Sequence, residues 1–408
     1  MWSLQKKHFY LIFAAVMESF FRTHDYLVRH VHAPVRRRLM DEIHWGDRLI
    51  GIKGSRGVGK TSFLLSYAKE YFDTDDRKCL YINMNNFFFQ GCTISEFARQ
   101  FYESGGRVLL IDQVYKVPDW SHELRLTYDT LPGLRVVFTG SSVMRLKEEN
   151  PELNGIVKSY NLRGFSFREY LNMKAGLNLK PHTLDEILAQ HGQLAAEVCR
   201  LVNPLDHFPA YIHHGYYPFF LEQRNFSENL VKTMNMMIEV DILHIKQIEL
   251  KYLSKIKKLL YLLANDPTQT PNVSQLAADI QTSRATITNY IKYLADARLV
   301  NVLYRLGEKS PKKPARVMMH NPNLIHAIRP HQVVQQEAIE TFFQNALWGR
   351  HVVNVGDRSC DFVVDGKHRF RILSEQPRRQ LSNICYALDG IRRSDGPQIP
   401  LWLFGFLY

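Results

Sequence analysis

The stretch Gly54-Ser-Arg-Gly-Val-Gly-Lys60-Thr61 has the residue types and the spacing needed to hold phosphate groups. It matches Gly-x-x-x-x-Gly-Lys-[Ser/Thr], in which glycines let successive backbone N–H groups close around phosphate oxygens. The Lys60 ammonium would meet the β and γ phosphates, and the Thr61 hydroxyl would ligate Mg²⁺. The stretch lies between a predicted strand, Leu49 to Lys53, and a helix predicted from Thr61, which is the context this loop requires. A glycine turn that only resembles the loop would not need the Lys-Thr pair. We therefore predict ATP and Mg²⁺ as cofactors, and the predicted cofactor-binding residues are Gly54, Ser55, Arg56, Gly57, Val58, Gly59, Lys60, Thr61 and Ser62.

A second candidate is the apolar run RVLLID, which ends on Asp112 and is followed by Gln113. The run reads as a short buried strand that carries its last carboxylate out of the sheet. In phosphate-loop proteins, a downstream strand usually ends in an aspartate that lies beside Mg²⁺. Thr61 and Asp112 are therefore the predicted metal ligands. An ordinary strand end at the surface is the alternative.

The strand 136–139 ends in polar residues that could sense a γ-phosphate or the attacking water from the neighbouring strand. We assign Thr139 and Ser141, together with Gln113, as candidate catalytic residues, and Ser142 lies beside them. Ordinary turn residues would look similar.

These residues need a scaffold, and the order of apolar runs predicts one. From about residue 47 to 165, apolar runs alternate with helical patterns, which indicates crossover units around a parallel sheet. A helical segment (1–46) precedes this core, and a mostly helical lid (166–245) follows it. Residues 246–325 are predicted to form a winged helix, and residues 330–408 a small domain with a hairpin about Asp365-Gly366. The predicted fold class is α/β, with a P-loop NTPase parallel-sheet core, a helical lid, a winged helix-turn-helix and a small α/β nuclease-like domain.

The helix-turn-helix prediction depends on residues 272–294. Ser274 can cap a short helix, Gln281 to Ser283 make a tight turn, and the second helix turns Ile287, Ile291 and Leu294 inward. Two β-prone runs follow around a basic loop, as in a wing. The candidate DNA contacts are Arg284, Thr286, Asn289, Lys292, Lys312 and Lys313, with Lys309 and Arg316 in the same loop region. A solvated basic face is the alternative.

The composition favours a soluble protein with an anionic partner. The 408 residues are 45% hydrophobic, and 52 Lys+Arg against 40 Asp+Glu give a net charge of +12, which favours contact with a polyanion such as nucleic acid. Net charge alone is also compatible with an indifferent basic surface. Five scattered cysteines suggest neither a disulfide framework nor a zinc site, so a reducing cytoplasm is expected.

The run Phe9 to Met17 follows Lys6 and Lys7 as in a signal peptide, but Glu18 and two phenylalanines stand where small cleavage-site residues belong. The run is also too short to span a bilayer, so no membrane contact is expected. We interpret it as a buried helix, or as sequence upstream of a start at Met17.

Several motifs taken together resemble one family. They are GIKGSRGVGKTSFL, LLIDQVYKVPDW, VVFTGSS, NLRGFSFREYL, HHGYYPFF, the helix-turn-helix, HNPNL and IPLWLFGFLY. The chain resembles bacterial and archaeal AAA-like ATPases that carry a winged helix and a C-terminal domain of unknown function similar to the restriction-endonuclease fold. The resemblance implies ATP binding, and it extends over nearly the whole chain.

Three departures from that family point to weak catalysis. The family's strand aspartate is followed by a glutamate that polarises water, and here Gln113 stands in its place. The family's arginine-finger segment holds Gly155 and Ile156 here, and Lys158, Arg145 or Arg163 could substitute.

The third departure is in the C-terminal domain, which should show an acid, then an aspartate, then Glu-x-Lys. Glu340 and Asp361 fit, but Arg371 and Glu375 stand where the acid and the lysine belong. We therefore interpret Glu340 and Asp361 as solvated charges on a structural domain, because two Mg²⁺-binding carboxylates alone make a poor hydrolytic site.

Three functions remain open at this stage. The leading one is an ATP-binding switch that contacts DNA and hydrolyses ATP weakly, because glutamine cannot take a proton, although it can orient a water molecule. The second is an active ATPase that processes DNA as a homo-oligomeric ring. The third is a non-enzymatic DNA-binding regulator in which nucleotide is only structural.

Overall fold

The computed structural model describes residues 2–144, 146, 150–222, 225–266, 269–307, 313–377, 379–394 and 396–408, with side chains from residue 15 onward. The chain divides into two units, Met1–Arg163 and Gly164–Tyr408. Within the described residues, no helix combines the length and the apolar character needed to cross a membrane.

The first unit is built on a five-stranded sheet in which every neighbouring pair of strands is parallel, in the order β2-β3-β4-β1-β5. The strands are β1 (Leu49–Gly54), β2 (Cys79–Asn83), β3 (Val108–Asp112), β4 (Arg135–Ser141) and β5 (Lys158–Asn161). All five residues of β3 are buried, which explains its continuous apolar run, since a central parallel strand is covered on both faces. This parallel core with its helices is a P-loop NTPase fold, as the sequence predicted.

The α-helices that accompany this sheet in the described residues are α1 (Trp2–His30), α2 (Leu39–Glu42), α3 (Lys60–Tyr71), α4 (Ile94–Glu103) and α5 (Trp120–Thr130). The run Phe9 to Met17 lies within α1, so the helix prediction is confirmed. The Phe20 ring packs at 5.1 Å from that of Phe97 on α4 and at 5.6 Å from that of Phe89, measured between ring centroids. The second half of α1 therefore contributes to the core of this unit.

The second unit begins with helical structure. Its α-helices are α6 (Phe167–Ala175), α7 (Leu184–Leu201), α8 (Phe208–Ala210), α9 (Phe226–Met236) and α10 (Leu243–Lys246). Helices α6 and α7 each begin with a capping box, formed by Ser166 and Glu169 at α6 and by Thr183 and Glu186 at α7.

Two sequence motifs of this unit stabilise each other. HHGYYPFF begins within a π-helical turn, Tyr211–Gly215, and HNPNL supplies Asn323. The Asn323 side chain donates to the carbonyl oxygens of Tyr211 (3.0 Å) and Ile212 (2.7 Å), and it accepts from the Tyr216 backbone N–H at 2.9 Å. The asparagine satisfies backbone groups that a π-turn leaves without regular helical partners.

A helix-turn-helix and a two-stranded antiparallel sheet come next. Their elements are α11 (Leu253–Asn265), α12 (Val273–Ile280), α13 (Arg284–Asp296), β6 (Val300–Leu303) and β7 (Arg316–Met319). Ile287, Ile291 and Leu294 are buried, as expected. The prediction that Ser274 caps α12 was wrong. Asn272 caps this helix, because its side chain accepts from the Ser274 and Gln275 N–H groups, each at 3.2 Å.

The chain ends in a mixed five-stranded sheet of order β12-β11-β10-β9-β8. Its elements are α14 (Pro322–Ile328), α15 (Gln335–Leu347), β8 (Val353–Val355), β9 (Phe362–Val364), β10 (His368–Leu373), β11 (Cys385–Leu388) and β12 (Gln398–Pro400). Asp365 and Gly366 have φ of 53° and 71° in the turn between β9 and β10, which confirms the predicted hairpin. The Phe343 ring of α15 packs 5.0 Å from the Phe370 ring, so the helix covers one face of the sheet.

Candidate nucleotide-binding site

The loop between β1 and α3 has the backbone shape of a phosphate-binding loop. Gly57 and Gly59 have φ of 85° and 91°, a region that side-chain-bearing residues rarely adopt. A Cβ atom at Gly54 would lie 2.5 Å from the Leu162 carbonyl oxygen, so this position also requires glycine. Helix α3 begins directly after the loop, at Lys60, and its first backbone N–H groups therefore border the loop.

The other loop residues divide into buried and accessible side chains. Ser55 and Val58 are buried, Arg56 and Lys60 are half-buried, and Thr61 and Ser62 are exposed. The Lys60 ammonium donates to the carbonyl oxygens of Gly54 and Ser55, each at 2.9 Å. The Lys60 ammonium therefore lies against the loop. An anion bound by the loop would contact this positive charge.

Asp112 lies at the carboxyl end of β3 and is 1% exposed. Its Oδ2 accepts from the Thr61 hydroxyl at 2.6 Å and from the Tyr81 hydroxyl at 2.9 Å. The predicted pair of metal ligands is therefore brought together by the fold. A hydroxyl and a carboxylate are the hard oxygen ligands that Mg²⁺ takes, so these two residues fit the ion.

The second Asp112 oxygen is held by Thr139. The Thr139 hydroxyl donates to Asp112 Oδ1, and it accepts from the Gln113 backbone N–H at 2.9 Å. Because Thr139 is fully buried and its hydroxyl has both partners, its contacts are those of a residue that positions Asp112. The sensor role predicted for Thr139 stays a prediction.

Gln113 has φ 59° and ψ 46°, so the chain turns sharply after the Asp112 strand. Its side chain is half-buried, and within the described part of the chain the amide makes no hydrogen bond. An amide in this position can orient a water molecule but cannot accept its proton.

Ser141 lies opposite Gly54 in the register of β4 and β1, beside the start of the loop. It is buried, and its hydroxyl accepts from the Val143 N–H at 3.3 Å. This contact stabilises the turn after β4, and the catalytic assignment of Ser141 stays a prediction.

Three residues of the site were not predicted from the sequence. Tyr81 and Asn83 lie on β2, and the Asn83 amide donates to Asp112 at 3.4 Å. Burial, and then the Asp112 charge, raise the pKa of the Tyr81 phenol, so it stays a neutral hydrogen-bond donor.

The third residue, Arg37, contacts the phosphate loop. The Arg37 guanidinium donates to the Val58 carbonyl at 3.1 Å and to the Arg163 carbonyl at 2.6 Å, which fixes the loop to the end of the unit.

The residues that could substitute for an arginine finger come from the last part of the first unit. Lys158 is exposed on the edge strand β5, and Arg163 is half-buried. Arg145 lies outside the described residues.

The predicted DNA contacts on α13 differ in exposure. Arg284, Asn289 and Lys292 are exposed, whereas Thr286 is half-buried and lies in the cap, where its Oγ1 is 2.9 Å from Ser283 Oγ. In the basic loop, Lys313 is exposed, and Lys309 and Lys312 lie outside the described residues.

The interpretation of Glu340 and Asp361 as solvated charges was wrong for Glu340, and Asp361 is half-buried. Glu340 is 8% exposed, forms an ion pair with Arg316, and accepts from the Gln336 amide at 2.7 Å. Asp361 accepts from the Ile372 N–H at 2.7 Å, and its burial raises the pKa of its carboxyl group. Glu340 lies on α15 and Asp361 just before β9, and protein donors compensate each carboxylate there.

Comparison with known proteins supports the assignment of the first unit. Residues 46–171 match the family described as AAA domain (AAA_14), and residues 205–329 match a domain of unknown function (DUF8612). The chain therefore contains an AAA-like P-loop domain, as the resemblance implied. A domain of unknown function does follow it, but the matched residues precede 330–408, whose likeness to the restriction-endonuclease fold stays a prediction.

One relative is an uncharacterized protein of Methanocaldococcus jannaschii (MJ1637), with 27% identity over 279 residues. The match covers 65% of this chain and 58% of that protein's length.

Two solved structures are also similar. The Aeropyrum pernix ORC1 protein in complex with DNA has a TM-score of 0.30 and 14% identity over 77% of this chain and 92% of that chain. C. elegans PCH-2 has a TM-score of 0.24 and 14% identity over 69% of this chain and 66% of that chain. At these TM-scores neither likeness supports an inference about this protein.

Proposed function

We propose that the protein is an ATP-dependent switch that binds ATP with Mg²⁺, hydrolyses it slowly and contacts DNA through its helix-turn-helix. The observation that carries the nucleotide part is the 2.6 Å contact between the Thr61 hydroxyl and the Asp112 carboxylate beside the glycine-rich loop. The AAA domain match over residues 46–171 supports the same reading.

The bound groups would be divided among the residues of the loop and of β3. The backbone N–H groups of the loop and the Lys60 ammonium would hold the phosphates, and Thr61 and Asp112 would hold Mg²⁺. The ion would neutralise charge on the β and γ phosphates. Tyr81 and Asn83 on β2 donate to one oxygen of the Asp112 carboxylate and Thr139 donates to the other, which keeps the carboxylate in position.

Slow hydrolysis follows from Gln113. A positioned general base contributes about 10²–10⁴-fold to a rate, and an amide cannot supply that contribution. The Gln113 side chain can still orient a water molecule through its two polar atoms, so we expect weak hydrolysis and not its absence.

DNA contact is proposed for a winged helix formed by α12, α13 and the β6–β7 sheet. Arg284, Asn289 and Lys292 are exposed on α13, whereas its apolar residues Ile287, Ile291 and Leu294 are buried. They supply charge and hydrogen bonds but no obvious code for base edges, so we expect weak, salt-sensitive and largely sequence-indifferent binding. The five cysteines are all free thiols, which supports a cytoplasmic location.

The nucleotide part is tested by calorimetric titration of Mg²⁺ and ATP into the full chain and into Lys60→Ala. The variant should bind at least about 100-fold more weakly, because it loses a charge-assisted contact to two phosphates. Lys69→Ala is the matched control, since it removes an exposed lysine from the other end of the same helix. Equal affinity in the wild type and Lys60→Ala would refute the phosphate site.

The DNA part is tested by fluorescence anisotropy with a 20-base-pair duplex at several salt concentrations. Arg284→Gln/Lys292→Gln should weaken binding about tenfold and flatten its salt dependence. Arg200→Gln/Lys180→Gln removes two exposed charges elsewhere in the same unit and should leave the salt dependence unchanged. An affinity that stays constant as salt rises would refute the electrostatic account.

A further inference from the structure

The C-terminal sheet carries a cleft of about 660 Å³ that belongs neither to the nucleotide site nor to helix α13. Its lining includes Gln336, Arg358, Ser359, Arg371, Arg379 and Tyr386. Among the described residues of this lining, three are arginines and one, Glu375, is a carboxylate. The cleft is therefore polar and net positive, which favours an anionic ligand.

Arg371 is the fixed element of the cleft. It lies on β10, is half-buried, and its Nη1 donates to the carbonyl oxygens of Arg358 and Ser359, each at 3.3 Å. These bonds use one nitrogen of the guanidinium, Nη1. The N–H donors on its other two nitrogens can therefore contact a ligand in the cleft. A planar fork held in this way suits the paired oxygens of a phosphate group.

Arg358 and Arg379 bring further charge to the rim. Both are exposed, and within the described part of the chain neither forms an ion pair. By contrast, Arg369, on the same sheet, is paired with Asp357 at 2.8 Å. Among the described residues, no ion pair neutralises the charge of the two rim arginines.

The acids near the cleft offset only part of this charge, because Glu375 is the one carboxylate among the described lining residues and Asp361 interacts electrostatically with a single one of the three arginines, Arg371. Glu340 is already paired with Arg316, and Asp361 is half-buried and accepts a hydrogen bond from the Ile372 N–H. Among the residues that the structure describes, no group of three or more His, Cys, Asp or Glu side chains is arranged to hold a metal ion. A ligand of this cleft would therefore be bound by guanidinium groups directly.

We propose that this cleft binds the phosphodiester backbone of a nucleic acid. Three arginines distributed around one cleft match a chain that carries a phosphate on every nucleotide better than they match a single anion. The net charge of +12 favours the same class of partner. The cleft is a second contact, separate from α13, and it does not depend on ATP.

The test uses the full chain without nucleotide, with fluorescein-labelled 20-base-pair DNA and RNA duplexes and anisotropy from 50 to 300 mM salt. The principal variant is Arg358→Gln/Arg379→Gln, because both side chains are exposed and, in the part of the chain that the structure describes, neither makes an ion pair whose loss would affect folding. We expect about tenfold weaker binding at 50 mM salt, and a plot of log K against log salt that is shallower by about two on DNA. Arg371→Lys, which keeps the charge but not the fork, should lose part of the affinity.

Two controls separate this proposal from the DNA contact of α13. Arg393→Gln/Lys367→Gln removes two exposed charges of the same unit that do not line the cleft, and it should keep the wild-type salt dependence. The cleft variant is also made in the Arg284→Gln/Lys292→Gln background, where it should cause the same further loss. That result would support the cleft even if the α13 variant itself had no effect.

The proposal is overturned if the cleft variant loses no more affinity than its control while both melt at the wild-type temperature. It is also overturned if the wild type binds neither duplex at 50 mM salt. Displacement of the duplex by poly-glutamate as effectively as by unlabelled duplex of equal charge would identify an acidic protein segment as the ligand, and it would contradict the nucleic-acid assignment. Stronger binding of one duplex would identify the source of the backbone as DNA or RNA.

Discussion

Two regions of this chain each hold a buried carboxylate beside a strand, and they compensate it in opposite ways. Asp112, at the end of β3, accepts hydrogen bonds from the neutral groups of Thr61, Tyr81 and Thr139. Glu340, on α15 over the C-terminal sheet, is paired with the permanent cation of Arg316. A hydroxyl can stay beside a carboxylate and join it in binding Mg²⁺, whereas a guanidinium already occupies the place of a cation. The partner of the acid therefore decides which region can use a metal.

The largest effect that tests this comparison is expected from Asp112→Asn. It should reduce the Mg²⁺ dependence of ATP binding by about 100-fold, because the carboxylate is the charged ligand of the pair. The matched variant Asp361→Asn, in the C-terminal sheet, should leave that dependence unchanged. Calorimetry with and without Mg²⁺ measures both, and the comparison fails if the two variants lose equal Mg²⁺ dependence.

A smaller effect is expected when the ion pair of the second region is broken. Glu340→Gln should lower the free energy of unfolding by about 2 kcal/mol, since it leaves the partly buried Arg316 charge without its counter-ion. Urea denaturation measures the loss. Arg316→Met/Glu340→Leu should lose less than the single variant, because neither charge remains, and a double variant that is less stable than Glu340→Gln would contradict a purely structural pair.

The smallest of these effects concerns Thr139. Thr139→Val keeps the shape of the side chain but deprives Asp112 Oδ1 and the Gln113 N–H of their partner, at a cost of about 1–2 kcal/mol in unfolding free energy. Thr139→Ser keeps the hydroxyl and should keep most of the stability and of the Mg²⁺ affinity. If the valine and serine variants are equally stable in urea and bind Mg²⁺ and ATP alike, the hydroxyl does not position Asp112.

The sequence predicted those features that depend on neighbouring residues. The glycine-rich loop, the strand that ends on Asp112 and the turn at Asp365-Gly366 are all local patterns with a physical cause. Tyr81 could not be assigned in this way, because its contact with Asp112 depends on β2 lying next to β3, and sequence order does not give sheet order. The Arg37 contact likewise needs the segment before β1 to return to the loop.

Two errors have equally specific causes. Asparagine and serine both cap helices well, so the pair Asn272 and Ser274 left the start of α12 uncertain by two residues. The burial of Glu340 and the partial burial of Asp361 were missed because charged residues are usually exposed, and Arg316, the partner of Glu340, lies 24 positions away in the chain.

The most direct test of the central claim is steady-state phosphate release at saturating ATP, measured beside ATP affinity in the same preparation. The proteins compared are the wild type, Gln113→Glu, Ile156→Arg and the double variant. We predict firm ATP binding with wild-type turnover well below about 1 s⁻¹, the low end of common enzyme rates. Gln113→Glu should raise turnover modestly, because transition-state charge must also be met by an arginine, which can contribute about 10³–10⁵-fold. The double variant should therefore exceed either single one, provided that Ile156 faces a neighbouring subunit. Fast wild-type turnover that the glutamate does not improve would contradict the account, because it would show that Gln113 or another residue already activates the water.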